Sequence, residues 1–273
     1  MVLSNEDLRK VQLLQLKILK EVHRICEKHS IKYFLIGGTL LGAIRHKGFI
    51  PWDDDIDIGM LREEYERFCS ICRTDLSNEY FLQTIETDPG YALQYGKMML
   101  MGTTLIEKST GRSIKKSGLF IDIFPYDYIP RKRYKQYILF FLSKILLRAY
   151  ALKKGYRIMW NNSICTFFLN LISVIFCIFP SSVLYSLLRY AITMYQNPIE
   201  GKEVLVGVVG SNFLKRQFKN DNLKDLILLL FEDDLYFAPK NYDIILSKIY
   251  GDYMTMPPLE KRCSNHQIIE YKL

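Results

Sequence analysis

The densest chemistry in this sequence lies in "GGTLLGAIRHKGFIPWDDDIDIGM", where Gly37 and Gly38 are followed by a basic triplet and then by Asp53, Asp54, Asp55 and Asp57. Carboxylates this crowded repel one another unless a cation sits among them, and aspartate oxygens are preferred ligands of Mg2+ and Mn2+. A glycine pair has no side chains to hold a ligand off, so backbone N–H groups at the start of the following helix can reach a phosphate. A further carboxylate comes from "GLFIDIFPYD", in which Asp122 stands between Ile121 and Ile123. A lone carboxylate on an apolar strand is costly, so a partner for Asp122 is required. Three strand carboxylates, Asp55, Asp57 and Asp122, converging on one site suit divalent metals that clamp the attacking and leaving oxygens of a phosphoryl displacement. The residues therefore point to phosphate transfer that uses a nucleotide and a metal.

These groups need a scaffold, and the flanking sequence supplies alternating helices and strands. Ser4 with Asp7 resembles a capping box, and Leu8, Val11, Gln15, Ile18, Val22 and Ile25 keep helical spacing with one polar interruption, predicting a helix to about His29. "KYFLIG" reads as a buried strand entering a tight turn at the glycines, and "TLLGAIRH" suits a short helix. "DIDIG" alternates charge with isoleucine, so a strand there places Asp55 and Asp57 on one face, about 7 Å apart along the chain. "EYERFCSICRTDL" predicts an amphipathic helix; "YFLQTIE", "LQYGKMMLM", "GTTLIE" and "GLFIDIFPYD" predict strands. Near the end, "EDDLYFAPKNYDIILSKIYGDYMTMPP" predicts a short strand, a helix opened by Pro239 and a stop at Gly251. The mixture is that of an α+β protein.

At 273 residues and 49% apolar, the chain has ample core for one domain with insertions or for two. Its six cysteines show no pairing logic, which predicts structural thiols in a reducing compartment. "MVLSNEDLRK" carries charges where a signal peptide needs an apolar run, so a cytoplasmic start is expected. The net charge of +8 is confined to one region: residues 129–199 hold ten of the 37 Lys and Arg and no Asp or Glu, leaving 27 basic against 29 acidic elsewhere. Within it, residues 158–188 carry no charge and include the nearly continuous apolar "FFLNLISVIFCIF", and that uncharged stretch is long enough to count as a transmembrane candidate.

Taken together, "GGTLLGAIRHKGFIPWDDDIDIGM", the later "FIDIFPYD" and the C-terminal "YGDYMTMPP" closely resemble the LicD family, which includes the fukutin-type proteins and is a branch of the polymerase-beta-type nucleotidyltransferase superfamily. The resemblance covers roughly the first half of the chain and its last forty or so residues; the basic segment between matches only loosely. It implies a nucleotidyltransferase core of mixed sheet and flanking helices over 1–128, an apolar, basic helical insertion over 129–199, and a segment over 200–273 that completes the module. It implies transfer of a substituted phosphate, phosphocholine or ribitol phosphate, from a CDP-linked donor such as CDP-choline to a glycan hydroxyl. By the same resemblance Asp55 and Asp57 hold Mg2+ or Mn2+, and Asp122 shares a metal and accepts the acceptor's proton. Gly37, Gly38 and Thr39, with Arg45, Lys47 and Lys97, are the expected phosphate contacts.

Plainer roles compete. Asp122 could serve a buried salt bridge, and Arg45, His46 and Lys47 could complement a helix dipole. Lys97 could neutralise phosphate or pair with a nearby carboxylate, and Trp52 fits packing better than choline binding. Asp53 and Asp54 are loop residues, either of which could order the loop or cap a neighbouring backbone as readily as bind metal. A single span at 158–188 would put "YGDYMTMPP" across a membrane from the aspartates; helices lying in the interface, against anionic headgroups, or a buried helical subdomain avoid that. The expected partners are the donor, a lipid-linked glycan and the inner face of the cytoplasmic membrane, with no nucleic acid, although a nucleotidyltransferase acting on RNA or a small molecule could share the fold.

Overall fold

The computed structural model describes residues 3–107, 117–156, 164–195, 203–206, 217–263 and 268–273. Arg157 and the start of the uncharged stretch, 158–163, lie outside the described residues.

Helix α1 (Asn5–Lys28) begins where its cap predicts: the Ser4 Oγ accepts the Asp7 N–H at 3.1 Å and donates to the Asp7 carboxylate at 2.7 Å. Val11, Ile18, Leu19, Val22 and Ile25 fall on one face at helical spacing and are fully buried. The helix ends at His29 as expected.

The sheet is mixed. Its strands in chain order are β1 (Phe34–Leu35), β2 (Asp57–Leu61), β3 (Tyr80–Gln83), β4 (Gly96–Leu100), β6 (Leu119–Tyr128), β7 (Glu203–Val206) and β8 (Gln217–Lys219), with β5 (Thr104–Glu107) outside it. The spatial order is β1-β2-β6-β4-β3, with β7 beside the end of β6 and β8 beyond it. Among the described residues only the β2–β6 pair is parallel. A parallel pair needs a crossover, and the chain between the two supplies α3 (Arg62–Asp75) along with β3, β4 and β5. A hairpin of β9 (Leu226–Phe231) and β10 (Asp234–Pro239) and a ribbon of β5 with β11 (Ile268–Lys272) complete the strands. With α2 (Gly37–Arg45) and α8 (Tyr242–Tyr250) beside them, this is an α+β arrangement.

Two details differ from the sequence expectations. Strand β2 starts at Asp57, so Asp55 lies before it instead of within the strand. Pro239 ends β10 and α8 opens at Tyr242, because a proline without an N–H is tolerated at the end of a two-stranded hairpin.

Two polar clamps join the layers. Arg62, at the corner between β2 and α3, makes a bidentate pair with Asp127 of β6 at 2.7 and 2.6 Å, both side chains buried. At the other end of α3, Asp75 contacts Lys28 and His29 at 2.8 Å each. The Lys28 ammonium, and after it the His29 ring, hold the Asp75 carboxyl at about 2, below its ordinary 3.8. A lowered carboxyl pKa adds stability that is complete above the ordinary value and is lost as pH falls through the folded one. Thermal melts from about pH 4 down to about pH 2 should therefore fall more steeply for the native chain than for Asp75→Asn.

Helices α4 (Arg133–Lys153), α5 (Ile164–Phe176), α6 (Ser181–Thr193) and the short α7 (Asp221–Lys224) fill the remainder. Helix α4 packs against both α5 and α6, around a second apolar cluster that includes Leu139, Leu146, Leu184 and Leu188. Among the described residues no helix is long and apolar enough to cross a membrane. Pro180 caps α6 and separates it from α5, dividing the apolar stretch into two helices of 13 residues, about 20 Å each. Cys26, Cys69, Cys72, Cys177 and Cys263 are free, and burial pushes the Cys69 thiol up to about 12, as a structural thiol requires.

Candidate active site

Strand alternation and register build the site. On β6, Asp122, Phe124 and Tyr126 fall on one face, while Ile121 and Ile123 are fully buried on the other. The parallel register sets Asp57 beside Asp122, Gly59 beside Phe124 and Leu61 beside Tyr126. On the opposite side of β6, Lys97 of β4 pairs with Asp122. Asp57, Asp122, Phe124 and Tyr126 form one wall of a cleft of about 740 Å³, within the range of small-molecule sites. Gly37, Gly38, Arg45, Asp53 and Asp55 line it from the α2 side, and Tyr250, Tyr253 and Lys261 close it from the C-terminal segment.

The glycine pair is explained by what stands against it. Gly37 opens α2 with φ +56°, in the left-handed region, and a Cβ there would lie 3.2 Å from an Asp57 carboxylate oxygen. A Cβ on Gly38 would lie 2.4 Å from Asp53 Oδ2. The helix start and the carboxylates thus sit closer than any side chain allows. The first-turn N–H groups of α2 have no acceptor within the helix, and Gly37 and Gly38 of that turn line the same cleft. Gly38→Ala should displace the Asp53 carboxylate and lower turnover by about a hundredfold while the chain still melts cooperatively, checked by parallel activity and melting assays.

Among the described residues, the three carboxylates lying within 4.8 Å of one another are those of Asp53, Asp54 and Asp55. Asp53 and Asp55 reach the cleft lining; Asp54 is buried and does not. Asp53 therefore joins Asp55, Asp57 and Asp122 on the cleft lining, although the carboxylates of Asp57 and Asp122 are not part of that group of three; carboxylate oxygens are the ligands Mg2+ and Mn2+ favour. The absence of a Cβ at Gly38 is what lets the Asp53 carboxylate lie against the start of α2.

The other predicted contacts separate. Arg45 lines the cleft and donates to the Tyr253 carbonyl at 2.8 Å, tying the C-terminal segment down; burial, then the neighbouring Arg262, lower its pKa. Lys47 is exposed, with φ +60°, and does not line the cleft; its carbonyl accepts the Glu232 N–H at 2.8 Å. The buried Thr39 uses its Oγ1 to accept the Asp57 N–H at 2.8 Å, anchoring the start of β2 to α2. Lys97 supplies the partner that Asp122 required: its Nζ lies 3.1 Å from Asp122 Oδ1 and stands over the Phe120 ring. Trp52 lines the cleft with Arg262 5.5 Å from its ring, while burial, and then Arg45, depress the pKa of His46.

Two supporting residues escaped sequence reasoning. Buried Gln12 and Gln15 on α1 donate to the carbonyls of Asp53 at 2.9 Å and Asp54 at 2.8 Å, and Gln15 also reaches the Phe120 carbonyl at 3.2 Å. For Gln15 the polar interruption in the α1 stripe was the signal, since a glutamine on a buried face needs a backbone to satisfy it; Gln12 left no such signal.

A family model described as LicD/FKTN/FKRP, nucleotidyltransferase domain, matches residues 30–144. The lipopolysaccharide cholinephosphotransferase LicD of Haemophilus influenzae is 33% identical over 264 residues, covering 95% of this chain and 96% of that protein. The ribitol 5-phosphate transferases FKRP of mouse and human are each 43% identical over 53 residues, 18% of this chain and 11% of theirs. Similarity over nearly the full length of both chains, with the glycine pair and the aspartates gathered at one cleft, makes this protein a member of the LicD family and a transferase of phosphate-containing groups.

Proposed function

We propose that this protein transfers phosphocholine from CDP-choline to a hydroxyl of a cell-surface glycan: lipopolysaccharide, teichoic acid or capsule. The observation that carries the proposal is the near full-length match to a lipopolysaccharide cholinephosphotransferase. The core is read as a polymerase-beta-type nucleotidyltransferase module over 1–128, with 129–199 inserted and 200–273 returning to it; in support, residues such as Phe218 and Tyr253 line the same cleft as the aspartates. The acceptor is taken to be lipid-linked, which places the protein at the inner face of the cytoplasmic membrane.

The chemistry follows from the cleft. The first-turn N–H groups of Gly37, Gly38 and Thr39 bind phosphate oxygens of the donor, and Arg45 adds positive charge. Asp55, Asp57 and Asp122, with Asp53 beside them, would hold Mg2+ or Mn2+, which supplies neutralising charge for the diphosphate. The acceptor hydroxyl attacks the phosphorus bearing choline, the bond from that phosphorus to the CMP oxygen breaks, and an Asp122 carboxylate oxygen takes the hydroxyl proton. Lys97 stabilises Asp122 as the carboxylate before that transfer. Tyr95 and Phe124, ring centroids 4.5 Å apart, present an aromatic wall beside Asp122 that suits a trimethylammonium group. The aspartates contribute position and charge, with no covalent enzyme intermediate.

The test is to incubate the purified protein, Mg2+ and a glycan acceptor with CDP-choline, CDP-ribitol and CDP-glycerol and to follow CMP. Release with CDP-choline, abolished by EDTA, is expected. Release with CDP-ribitol alone would favour the second reading, ribitol phosphate, which the local match to FKRP supports. Silence with every donor overturns both.

A further inference from the structure

We propose that the outer surface of the three-helix layer α4–α6 seats in the headgroup region of an anionic bilayer without crossing it. The inference deepens the placement of the protein at a membrane and rests on that reading, but its readout is independent of catalysis.

The polarity of α5 is inverted relative to a helix that meets water. Its inward side carries Asn170 and Ser173, both fully buried, while Phe168 and Ile175 on the outside are 55% and 56% exposed. Ile178, in the turn that follows, is 82% exposed. Helix α4 repeats the pattern: Ser143 and Gln136 are buried, and Tyr134, Tyr137, Ile138, Phe141 and Leu142 form an exposed row at i, i+3, i+4, i+7 and i+8. Helix α6 adds Val183, Leu187 and Tyr190. A helix apolar on its outer face as well as its inner one has a second apolar environment to satisfy, and soluble monomers rarely leave patches of this extent in water.

Charge selects the occupant. Residues 129–199 contain no acidic side chain, and Arg131, Lys132, Arg133 and Lys135 are exposed at the N-terminal end of α4, beside the row that begins at Tyr134. An apolar surface with this cluster of cations at one end matches anionic lipid, whose headgroups attract each basic residue while the acyl boundary takes the rings; two carboxylates that meet the layer, Glu66 and Glu86, are paired with Arg189 of α6. Length excludes a crossing by α5 and α6, which each reach about 20 Å against about 30 Å of hydrocarbon, and α4, though 21 residues long, is not apolar enough to cross.

The experiment is co-sedimentation of the full chain with vesicles of phosphatidylcholine alone and of phosphatidylcholine mixed with phosphatidylglycerol. Strong binding to the mixed vesicles, weakened by salt, is expected. Lys132→Ala with Lys135→Ala should lower the partition coefficient about 25-fold, at about fivefold per charge. Ile178→Asp should weaken binding to both vesicle types. CMP release from a CDP-linked donor onto a soluble acceptor should be unchanged in these variants, since none of the three residues lines the cleft; vesicle binding without chemistry, or chemistry without binding, would separate this proposal from the transferase reading. A native chain that stays in the supernatant with mixed vesicles overturns the proposal. So does a concentration-dependent dimer broken by Ile175→Asp, which would give this face to a second copy.

Discussion

Asp57→Asn is expected to lower CMP release from a CDP-linked donor by at least about a hundredfold, with thermal melting unchanged. The two effects separate because Asp57 does two jobs with different atoms. Its backbone N–H donates to Thr39 Oγ1 and its carbonyl accepts the Ile36 N–H at 3.2 Å, so the junction of α2, β1 and β2 is held by main chain that asparagine keeps. Its carboxylate faces the cleft beside Gly37 and Asp122, where the substitution removes a charge from the donor set. Activity and melting measured on the same preparation decide the matter; unchanged turnover would remove Asp57 from the metal site.

The second large effect is structural and concerns Lys97 and Asp122. Asp122→Asn leaves the Lys97 ammonium, 4% exposed, without its anionic partner 3.1 Å away, and should cost about 3 kcal/mol, the low end for breaking a buried pair because Asp122 itself faces the cleft. Replacing both partners removes the buried charge altogether, so Lys97→Met with Asp122→Asn should recover most of that stability in a denaturant melt. The double variant should remain inactive, since no base is restored. If Asp122→Asn melts like the native chain, the pair is not what keeps Lys97 in the sheet; if the double variant turns over donor, Asp122 is not the base.

Much of this site was legible in local sequence. The strand at "FIDIFPYD" and the glycine stop after "KYFLIG" come from alternation and conformational preference, which a few neighbouring residues set. The requirement that Asp122 have a partner followed from burial cost alone, and Lys97 was already conspicuous as a lone cation on an apolar strand. Other assignments needed distant contacts. Arg45 and Lys47, two positions apart in one basic triplet, part company because α2 ends between them and Lys47 turns into a left-handed conformation where it meets Glu232. Asp53 and Asp54, adjacent in sequence, divide because Gln12 and Gln15 grip their carbonyls and leave one carboxylate at the cleft and the other buried.

By itself the sequence determined which residues alternate, where helices start and stop, where positive charge collects and which residue types are available for phosphate chemistry. These are short-range properties, fixed by periodicity, capping and side-chain volume. Only the tertiary structure decided that Asp57 stands beside Asp122, that Lys97 meets Asp122 from the other side, and that the C-terminal segment closes the cleft over Arg45. Strand register and chain return are set by the joint burial of many side chains far apart in sequence, so no window of neighbouring residues contains them.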